Sequence, residues 1–425
     1  YARAVADGGL LAFLACLGLA QLSHETTPAL AQLAFTALIF YAMGALPYRR
    51  WGPTLANGAG LLGLALSGAP TMALFFGLGS ALIHYLDRPQ QATDVVRDRR
   101  IMQDSVAIMF TTLLSVGFAW SLNLLTWKID LPSANWADWY GYAQLLVWFT
   151  WPTWPLTLWT LWRWRHQLFN RRISRHLGLP AWFVLVCVVA TLTTGSSDRS
   201  LLLALPALAT LSAFALPTLK RWVAALIDWF TLLFFSGCAL TIWVVWIAMQ
   251  TGVPAQPAAN VARLAPGFEA SFSPFTFAIA CCATLAWAWL VQWRVGRHRA
   301  AIWKSLVLPA GGATLSWFLL MTLWMPLLNY AQSYNGLVHR VVGQLTAPGC
   351  VETLGLGQGQ IAALGFYGDL HLKALQNPPH CAWLLVEPQL DTSTALPVDL
   401  NHWSSPRLVQ HPAYAGESLL LFKRR

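Results

Sequence analysis

Long apolar stretches alternate with short polar segments over the first 330 residues of the chain. About 20 apolar residues rise far enough as a helix to cross the hydrocarbon core of a bilayer. The pattern therefore predicts an all-α polytopic membrane domain over residues 1–330. Its eleven predicted spans are 8–22, 29–47, 54–69, 71–86, 105–127, 143–162, 179–194, 200–218, 222–249, 275–293 and 305–329.

The pattern changes from residue 331 onward to that of a small soluble domain. Short runs with few charges, bounded by Gly, Pro and polar residues, predict strands. We place these strands at 351–356, 382–386, 407–410 and 418–422, and a helix at 361–370. The sequence therefore predicts a compact α/β domain over residues 331–425.

Basic residues are concentrated in every second connecting segment. Eighteen Lys and Arg lie in the segments that we assign to the cytoplasm, whereas only Lys128, Arg199 and Arg263 lie in those assigned outside. Short loops rich in Lys and Arg stay on the cytoplasmic side of a membrane. Residue 1 is therefore predicted to be cytoplasmic, and the domain 331–425 to lie outside the cytoplasm.

The composition agrees with a membrane protein and argues against a nucleic-acid-binding one. The chain is 56% hydrophobic and 10% charged, whereas a soluble domain carries about a quarter charged residues. Its net charge of +10 lies in segments that flank apolar spans. Contact with anionic membrane lipids explains that charge better than nucleic acid does.

Two of the seven cysteines fall in the predicted outer domain. Cys350 and Cys381 favour a disulfide there, because an oxidising compartment permits one; two unrelated thiols are the alternative. The other five lie within predicted spans and are expected to be small apolar fillers. They are Cys16, Cys187, Cys238, Cys281 and Cys282.

The predicted outer loop 128–142 is rich in aromatic residues: Trp136, Trp139, Tyr140 and Tyr142. Trp and Tyr favour the membrane interface because their rings are amphipathic. Two interpretations stay open, an aromatic belt and a groove for substrate. Lys128 at the start of this loop is a candidate substrate contact, or simply a solvated charge.

His24 and Glu25 lie at the predicted outer mouth between the first two spans. Charges at a span's outer end suggest a functional role because they are costly near lipid. Glu25 is a candidate base, or a ligand for a cation that accompanies a phosphate group. The alternative is a solvated helix start with Pro28 in its first turn.

Asp198 and Arg199 open the eighth predicted span on the outer side. A guanidinium beside the free N–H groups of a helix start suits a phosphate group. The alternative is an ion pair between these two residues. His84 and Asp228, near the inner ends of their spans, are expected to have structural roles.

Motifs of soluble enzymes are missing from the sequence. It contains no HExxH, no CxxC pair, no phosphate-binding P-loop and no GxSxG. It also shows no internal repeat and almost no polar residue at mid-bilayer depth, and both observations disfavour a transporter or flippase.

Three stretches resemble the GT-C membrane glycosyltransferases of the bacterial protein O-mannosyltransferase and lipid A aminoarabinose transferase type. They are residues 4–30, 54–70 and 195–212, the last reading GSSDRSLLLALPALATLS. Arg199 and Pro206 match the family pattern. Asp198 stands where the family has Lys, and Ser67 with Gly68 replaces another family Lys, which suggests a divergent substrate.

The resemblance implies transfer of a sugar from a polyprenyl-phosphate donor to a lipid or glycan acceptor. The reaction would take place at the periplasmic face of a bacterial inner membrane, the outer domain being periplasmic. It implies that Arg199 stabilises the charge of the leaving phosphate, while the aromatic loop stacks on sugar or isoprene. His24, Asp198 and Lys128 are further candidate substrate contacts.

The family has two more spans, which would precede Tyr1 and carry between them the principal catalytic acid. That acid would activate the acceptor or bind a divalent metal ion, and Glu25 is our second choice for the role. The alternative from another class is a non-catalytic GT-C-like scaffold or lipid-binding subunit. An acid in an upstream outer loop would favour the enzyme.

Overall fold

The chain of 425 residues is described here by a computed structural model. It describes residues 1–22, 27–87, 95–125, 135–168, 174–194, 198–295, 302–345, 350–375, 380–388, 402–413 and 417–424. The chain divides into two compact units. The first consists of Tyr1–Gly237 and Thr284–Trp317, and the second of Cys238–Ala283 and Phe318–Arg425.

Most of the described chain is helical. The first twelve helices are α1 (Ala2–Ala15), α2 (Leu17–Leu22), α3 (Ala29–Ala45), α4 (Trp51–Leu66), α5 (Pro70–Leu86), α6 (Val95–Ser121), α7 (Trp136–Phe149), α8 (Thr153–Arg163), α9 (Arg165–Leu168), α10 (Arg175–Thr193), α11 (Asp198–Leu202) and α12 (Leu205–Ala215). They are followed by α13 (Arg221–Thr251), α14 (Ala255–Leu264), α15 (Pro274–Val295), α16 (Val307–Leu323), α17 (Met325–Gln332) and α18 (Asn335–Val342).

Five helical segments within the described residues are long and apolar enough to cross a membrane. They are Arg99–Ser121, Arg175–Thr193, Arg221–Thr251, Pro274–Arg294 and Ile302–Leu323. Three shorter apolar helices occupy Ala29–Ala45, Pro70–Leu86 and Leu205–Thr218. These segments indicate a multi-pass membrane protein, while the count of eleven crossings stays a prediction.

Helices α5, α6 and α10 pack closely in the core of the first unit. The rings of Phe76 and Phe183 stack with centroids 4.3 Å apart, and both side chains are fully buried. A Cβ at Gly77 would lie 2.1 Å from Oγ1 of Thr112 on α6. Small residues at such points let two apolar helices approach closely, which is how helices gain packing energy without a hydrophobic driving force.

Two of the predicted spans are interrupted, and the interruptions meet. Span 8–22 is split into α1 and α2, and span 143–162 into α7 and α8. The backbone N–H of Leu17 donates to the carbonyl of Trp151 over 3.1 Å. Because a backbone group at membrane depth must be satisfied within the protein, each break partly offsets the cost of the other.

The second unit contains a five-stranded sheet. Its elements are β1 (Cys350–Leu354), α19 (Gln358–Gly368), β2 (His371–Ala374), β3 (Trp383–Val386), β4 (Arg407–Gln410) and β5 (Ser418–Lys423). The strand order is β2-β1-β3-β5-β4. Strand β1 is parallel to β2 and β3, whereas β5 is antiparallel to β3 and β4.

The four strands and the helix expected after residue 331 are all found. The sequence missed β2, because its four residues from His371 to Ala374 are too few and too exposed for an alternating pattern to stand out. Helices α18 and α19 cover one face of the sheet through a cluster that includes Leu337, Leu364 and Leu421.

A disulfide joins Cys350 at the start of β1 to Cys381, with 5.1 Å between the Cα atoms. Beside it, Oε1 of the buried Glu352 accepts hydrogen bonds from the backbone N–H groups of His380 and Cys381. At the other end of the domain, the hydroxyl of Tyr334 donates to Oε1 of Glu417. Burial raises the pKa of Tyr334, and the neighbouring carboxylate of Glu417 raises it further.

Two segments that lie between predicted spans contain helix. Residues 136–142 form the first two turns of α7, with Asp138 in the first turn where it complements the helix dipole. The Pro-rich segment 251–274 contains α14, whose Ala-rich sequence favours a helix. Its Pro257 lies in the first turn, where the missing N–H has no helical partner in any case.

Candidate functional site

A cavity of about 580 Å³ lies in the first unit where α3 and α5 begin and α10 ends. We call it the Arg199 cavity. Its volume falls within the range of small-ligand pockets. It is lined by Pro28, Ala29, Gln32, Gly68, Ala69, Pro70, Thr71, Met72, Phe75, Leu124, Trp182, Leu185, Val186, Val189, Ala190, Thr193, Thr194, Arg199, Ser200 and Leu203.

The wall of this cavity is apolar, and its position depends on a glycine. The indole Nε1 of Trp182 on α10 donates to the carbonyl of Phe75 on α5 over 3.0 Å. A Cβ at Gly79, one turn further along α5, would lie 2.0 Å from that nitrogen. Gly79 therefore makes the space in which the indole ring crosses α5 and lines the cavity.

The polar groups of the cavity lie at its rim. The side chain of Gln32 donates to the carbonyl of Ser67 over 2.8 Å, which ties the start of α3 to the end of α4. The hydroxyls of Thr193 and Thr194 donate to carbonyls one turn earlier on α10 and keep their acceptor capacity. Arg199 is exposed and carries the only charge among the described lining residues.

The start of α5 adds a partial positive charge at the same rim. Pro70 is the first residue of this 17-residue helix, a position that suits proline because its N–H would have no helical partner. The first N–H groups of a helix and its dipole favour an anion. An apolar chamber with a cation and a helix start at one end matches an amphiphile with an anionic head.

Among the predicted site residues, the structure places Arg199 in this cavity and the aromatic residues elsewhere. Trp136, Trp139 and Tyr140 are exposed on α7, Trp136 at 83%, whereas Tyr142 is 7% exposed. None of these four, nor the half-buried Asp198, lines the cavity. Their assignment to substrate binding stays a prediction.

His24, Glu25 and Lys128 lie outside the described residues. Within the described part of the chain, no three His, Cys, Asp or Glu side chains come together to hold a metal ion. The described residues therefore provide no set of ligands for a divalent cation.

Sequence reasoning missed Gln32 and Trp182. Gln32 carried a usable signal, because a polar residue in the first turn of an apolar span suggests a role at the interface. Trp182 carried none, since it is one of 24 tryptophans. Its position follows from Phe75 and Gly79, which are about a hundred residues away in the chain.

Comparison with solved structures identifies the architecture. The crystal structure of ArnT from Cupriavidus metallidurans in the apo state matches with a TM-score of 0.52 at 13% sequence identity, covering 99% of this chain and 83% of that one. The chain has the fold of ArnT. The crystal structure of the same protein bound to undecaprenyl phosphate matches with a TM-score of 0.51, the same identity and the same coverage. The expected GT-C-type fold is thereby confirmed.

Sequence comparison alone gives no such match. No family model matches the chain, and no curated protein is detectably similar to it. At this distance the likeness to ArnT concerns the fold, and the chemistry of the site rests on the cavity.

Proposed function

We propose that the chain is a membrane glycosyltransferase that takes its sugar from a polyprenyl-phosphate donor and transfers it to a lipid or glycan acceptor. The observation that carries this proposal is the Arg199 cavity, which joins an apolar wall to a single cation. The fold supports it, since ArnT has also been crystallised with undecaprenyl phosphate.

The donor is proposed to bind with its prenyl chain against the wall of α5 and α10, where Phe75, Trp182 and Val186 lie. Its phosphate then lies at Arg199 and the start of α5. A guanidinium and a phosphate form charge-assisted hydrogen bonds, which are about twice as strong as neutral ones. The hydroxyls of Thr193 and Ser200 complete the polar rim.

In the proposed reaction, the bond between the sugar's anomeric carbon and the phosphate oxygen breaks. Its electron pair stays on the phosphate, and Arg199 stabilises the charge that develops there. The acceptor hydroxyl forms the new bond and gives its proton to a base. Within the given sequence we propose Glu25 for that role, as the second choice after the principal acid that the family resemblance implies; it stands three residues before the lining residue Pro28 in the sequence.

Further substrate contacts are proposed for His24, Lys128 and Asp198, and for the aromatic residues of α7. The cavity is proposed to face the periplasm of a bacterial inner membrane, with the domain 331–425 on the same side. The orientation rests on charge, because Arg49 and Arg50 follow the opposite end of α3 and Arg175 begins α10.

The test compares Arg199→Ala with Arg263→Ala in full-length protein reconstituted in lipid. Arg263 is a matched control because it is an exposed arginine on the same predicted side and outside the cavity. Transfer of sugar from a polyprenyl-phosphate donor is measured. We expect Arg199→Ala to lower the rate roughly 100-fold or more, as does the loss of one donor to a developing oxyanion, and Arg263→Ala to change it less than about twofold.

Equal rates in the two variants would remove Arg199 from the site.

The second candidate function is a lipid-binding subunit without catalysis, and one observation favours it: among the described residues, no carboxylate lines the cavity. Glu25→Gln separates the two. An enzyme loses transfer and keeps undecaprenyl-phosphate binding, whereas a lipid-binding subunit shows Arg199-dependent binding and no transfer even before substitution.

A further inference from the structure

A second pocket, of about 720 Å³, lies in the first unit where α3 and α5 end and α10 begins. We call it the Arg175 pocket. Unlike the Arg199 cavity, it is rich in charge. Four arginines line it, with the carboxylates of Asp87 and Asp104, and the side chains of Tyr48 and His84; the arginines are Arg49, Arg50, Arg100 and Arg175.

Arg175 is a buried cation held by neutral groups. It is 9% exposed, and its Nη2 donates to the carbonyls of Met43 over 2.8 Å and of Gly44 over 3.0 Å. These carbonyls belong to the last turn of α3, where no helical N–H remains to pair with them. Hydrogen bonds to carbonyls fix the guanidinium in place without neutralising its charge, and the carboxylate of Asp87 in the same pocket interacts with it electrostatically.

The two carboxylates do not balance the four arginines. Asp104 is engaged by Arg50, whose Nε lies 3.5 Å from its Oδ1. Arg50 also donates to Oε1 of Gln103 over 3.2 Å. Arg49 and Arg100 are exposed at the mouth of the pocket. The pocket therefore has an excess of positive charge and guanidinium donors on several sides.

The ring nitrogens of His84, which are unpaired within the described chain, indicate that the pocket binds a ligand. It is 5% exposed and lines the pocket, yet neither ring nitrogen has a hydrogen-bond partner among the described residues. A buried polar group without a partner costs about 1–3 kcal/mol. A neutral imidazole always has one N–H to donate, so an acceptor oxygen in the pocket would satisfy it.

We propose that the Arg175 pocket binds a phosphate-bearing anion, either the head group of an anionic phospholipid in the adjacent leaflet or soluble phosphate. Arginine is the side chain best matched to phosphate, because its fork of N–H groups binds two oxygens at once. Basic pockets between spans are typical sites for anionic head groups. The pocket is distinct from the Arg199 cavity, because the two lie at opposite ends of α3. A helix of 17 residues is about 25 Å long.

The test uses the purified full-length chain, Arg49→Gln/Arg100→Gln as the variant and Arg221→Gln as a matched control. Arg49 and Arg100 are exposed, so the double substitution spares the fold; Arg221 is an exposed arginine on the same predicted side and outside the pocket. Binding is measured with nanodiscs of phosphatidylglycerol, nanodiscs of phosphatidylcholine, and inorganic phosphate in detergent. A ligand that binds the folded state raises the unfolding temperature.

We expect phosphatidylglycerol or inorganic phosphate to stabilise the wild-type protein, and the double variant to need roughly tenfold more ligand for half-saturation, as expected for losing one charge-assisted contact or more. Stabilisation by phosphatidylglycerol alone identifies a lipid head group, and stabilisation by inorganic phosphate identifies a soluble ligand. The proposal is overturned if neither ligand stabilises the wild-type protein. It is also overturned if Arg221→Gln weakens ligand binding as much as the double variant does.

His84→Leu adds an independent readout. Removal of the unpartnered nitrogens should raise the unfolding temperature without ligand and weaken the response to the ligand. A histidine with a purely structural role gives the opposite pattern, a lower unfolding temperature and an unchanged response, and that result would remove His84 from the site.

Discussion

The same three helices, α3, α5 and α10, form a cavity at each end, and the two cavities are opposite in character. The Arg199 cavity has an apolar wall and one exposed cation, whereas the Arg175 pocket has four arginines, of which Arg175 is buried. The two cavities differ in the preorganisation of their charged groups. Arg175 is fixed by two carbonyls before any ligand arrives, while the Arg199 cavity offers a shaped apolar surface.

This contrast separates function from stability. Loss of an exposed cation at a rim is expected to cost binding and little folding energy. Loss of a buried guanidinium that caps a helix is expected to cost folding energy, because the carbonyls it satisfied are left unpaired.

The largest effect is expected when ligand binding is measured for both sites in both variants. Arg199→Ala should weaken undecaprenyl-phosphate binding about 100-fold, as expected for losing a guanidinium that forms charge-assisted hydrogen bonds to the phosphate, and leave the response to phosphatidylglycerol unchanged. Arg49→Gln/Arg100→Gln should weaken the response to phosphatidylglycerol roughly tenfold and leave undecaprenyl-phosphate binding unchanged. Titration of each ligand against each variant checks this, and a variant that lowers both affinities alike would show that the two cavities are not independent.

Arg175→Met should have the next largest effect. It keeps an apolar stem but leaves the carbonyls of Met43 and Gly44 without their donor. Hydrogen bonds to a charged group contribute about 1.5–3 kcal/mol each, so we expect a loss of about 3 kcal/mol in the free energy of unfolding. Thermal or denaturant unfolding measures it, with Arg221→Met as the control. An unfolding temperature equal to the control's would mean that the guanidinium does not cap α3.

Gly79→Ala is expected to displace the wall of the Arg199 cavity. The added Cβ meets the indole of Trp182 at 2.0 Å, and overpacking of this kind costs about 1–3 kcal/mol. Gly117→Ala is the matched control, because nothing lies within 4 Å of a Cβ there and alanine favours a helix. We expect the unfolding temperature of Gly79→Ala to lie below that of Gly117→Ala. Equal unfolding temperatures would contradict the close approach of Trp182 to α5.

Trp182→Phe should have the smallest effect. It keeps a ring at the wall and removes the N–H that donates to the Phe75 carbonyl. The loss of one neutral hydrogen bond costs about 1 kcal/mol. Undecaprenyl-phosphate affinity should change less than threefold, since the apolar contact remains. A tenfold loss in titration would assign the indole N–H to the ligand instead.

The sequence predicted the helices well, because apolar runs and their polar ends are local features. It also located four of the five strands, and missed β2, whose four residues are too few and too exposed to show a period. Helix α7 begins inside a segment assigned to a loop. A stretch rich in Trp and Tyr favours the membrane interface, but it does not show whether the backbone there is a loop or a helix.

The sites were harder to predict because their residues meet only in the fold. Arg199 carried a local signal, a lone outer cation at a span end, and it lines the cavity. The Arg175 pocket carried none, since its arginines come from separate connecting segments, each of which has an ordinary role in orienting the chain. The position of His84 in the sequence suggested a structural role. Its surroundings in the pocket suggest a role in ligand binding.

The paired interruptions of α1–α2 and α7–α8 have a consequence for how this bundle tolerates change. The amide of Leu17 and the carbonyl of Trp151 satisfy one another across two helices. A proline at position 17 would therefore leave a carbonyl 134 positions downstream without its donor, so a substitution in α2 would create a polar defect at the break between α7 and α8.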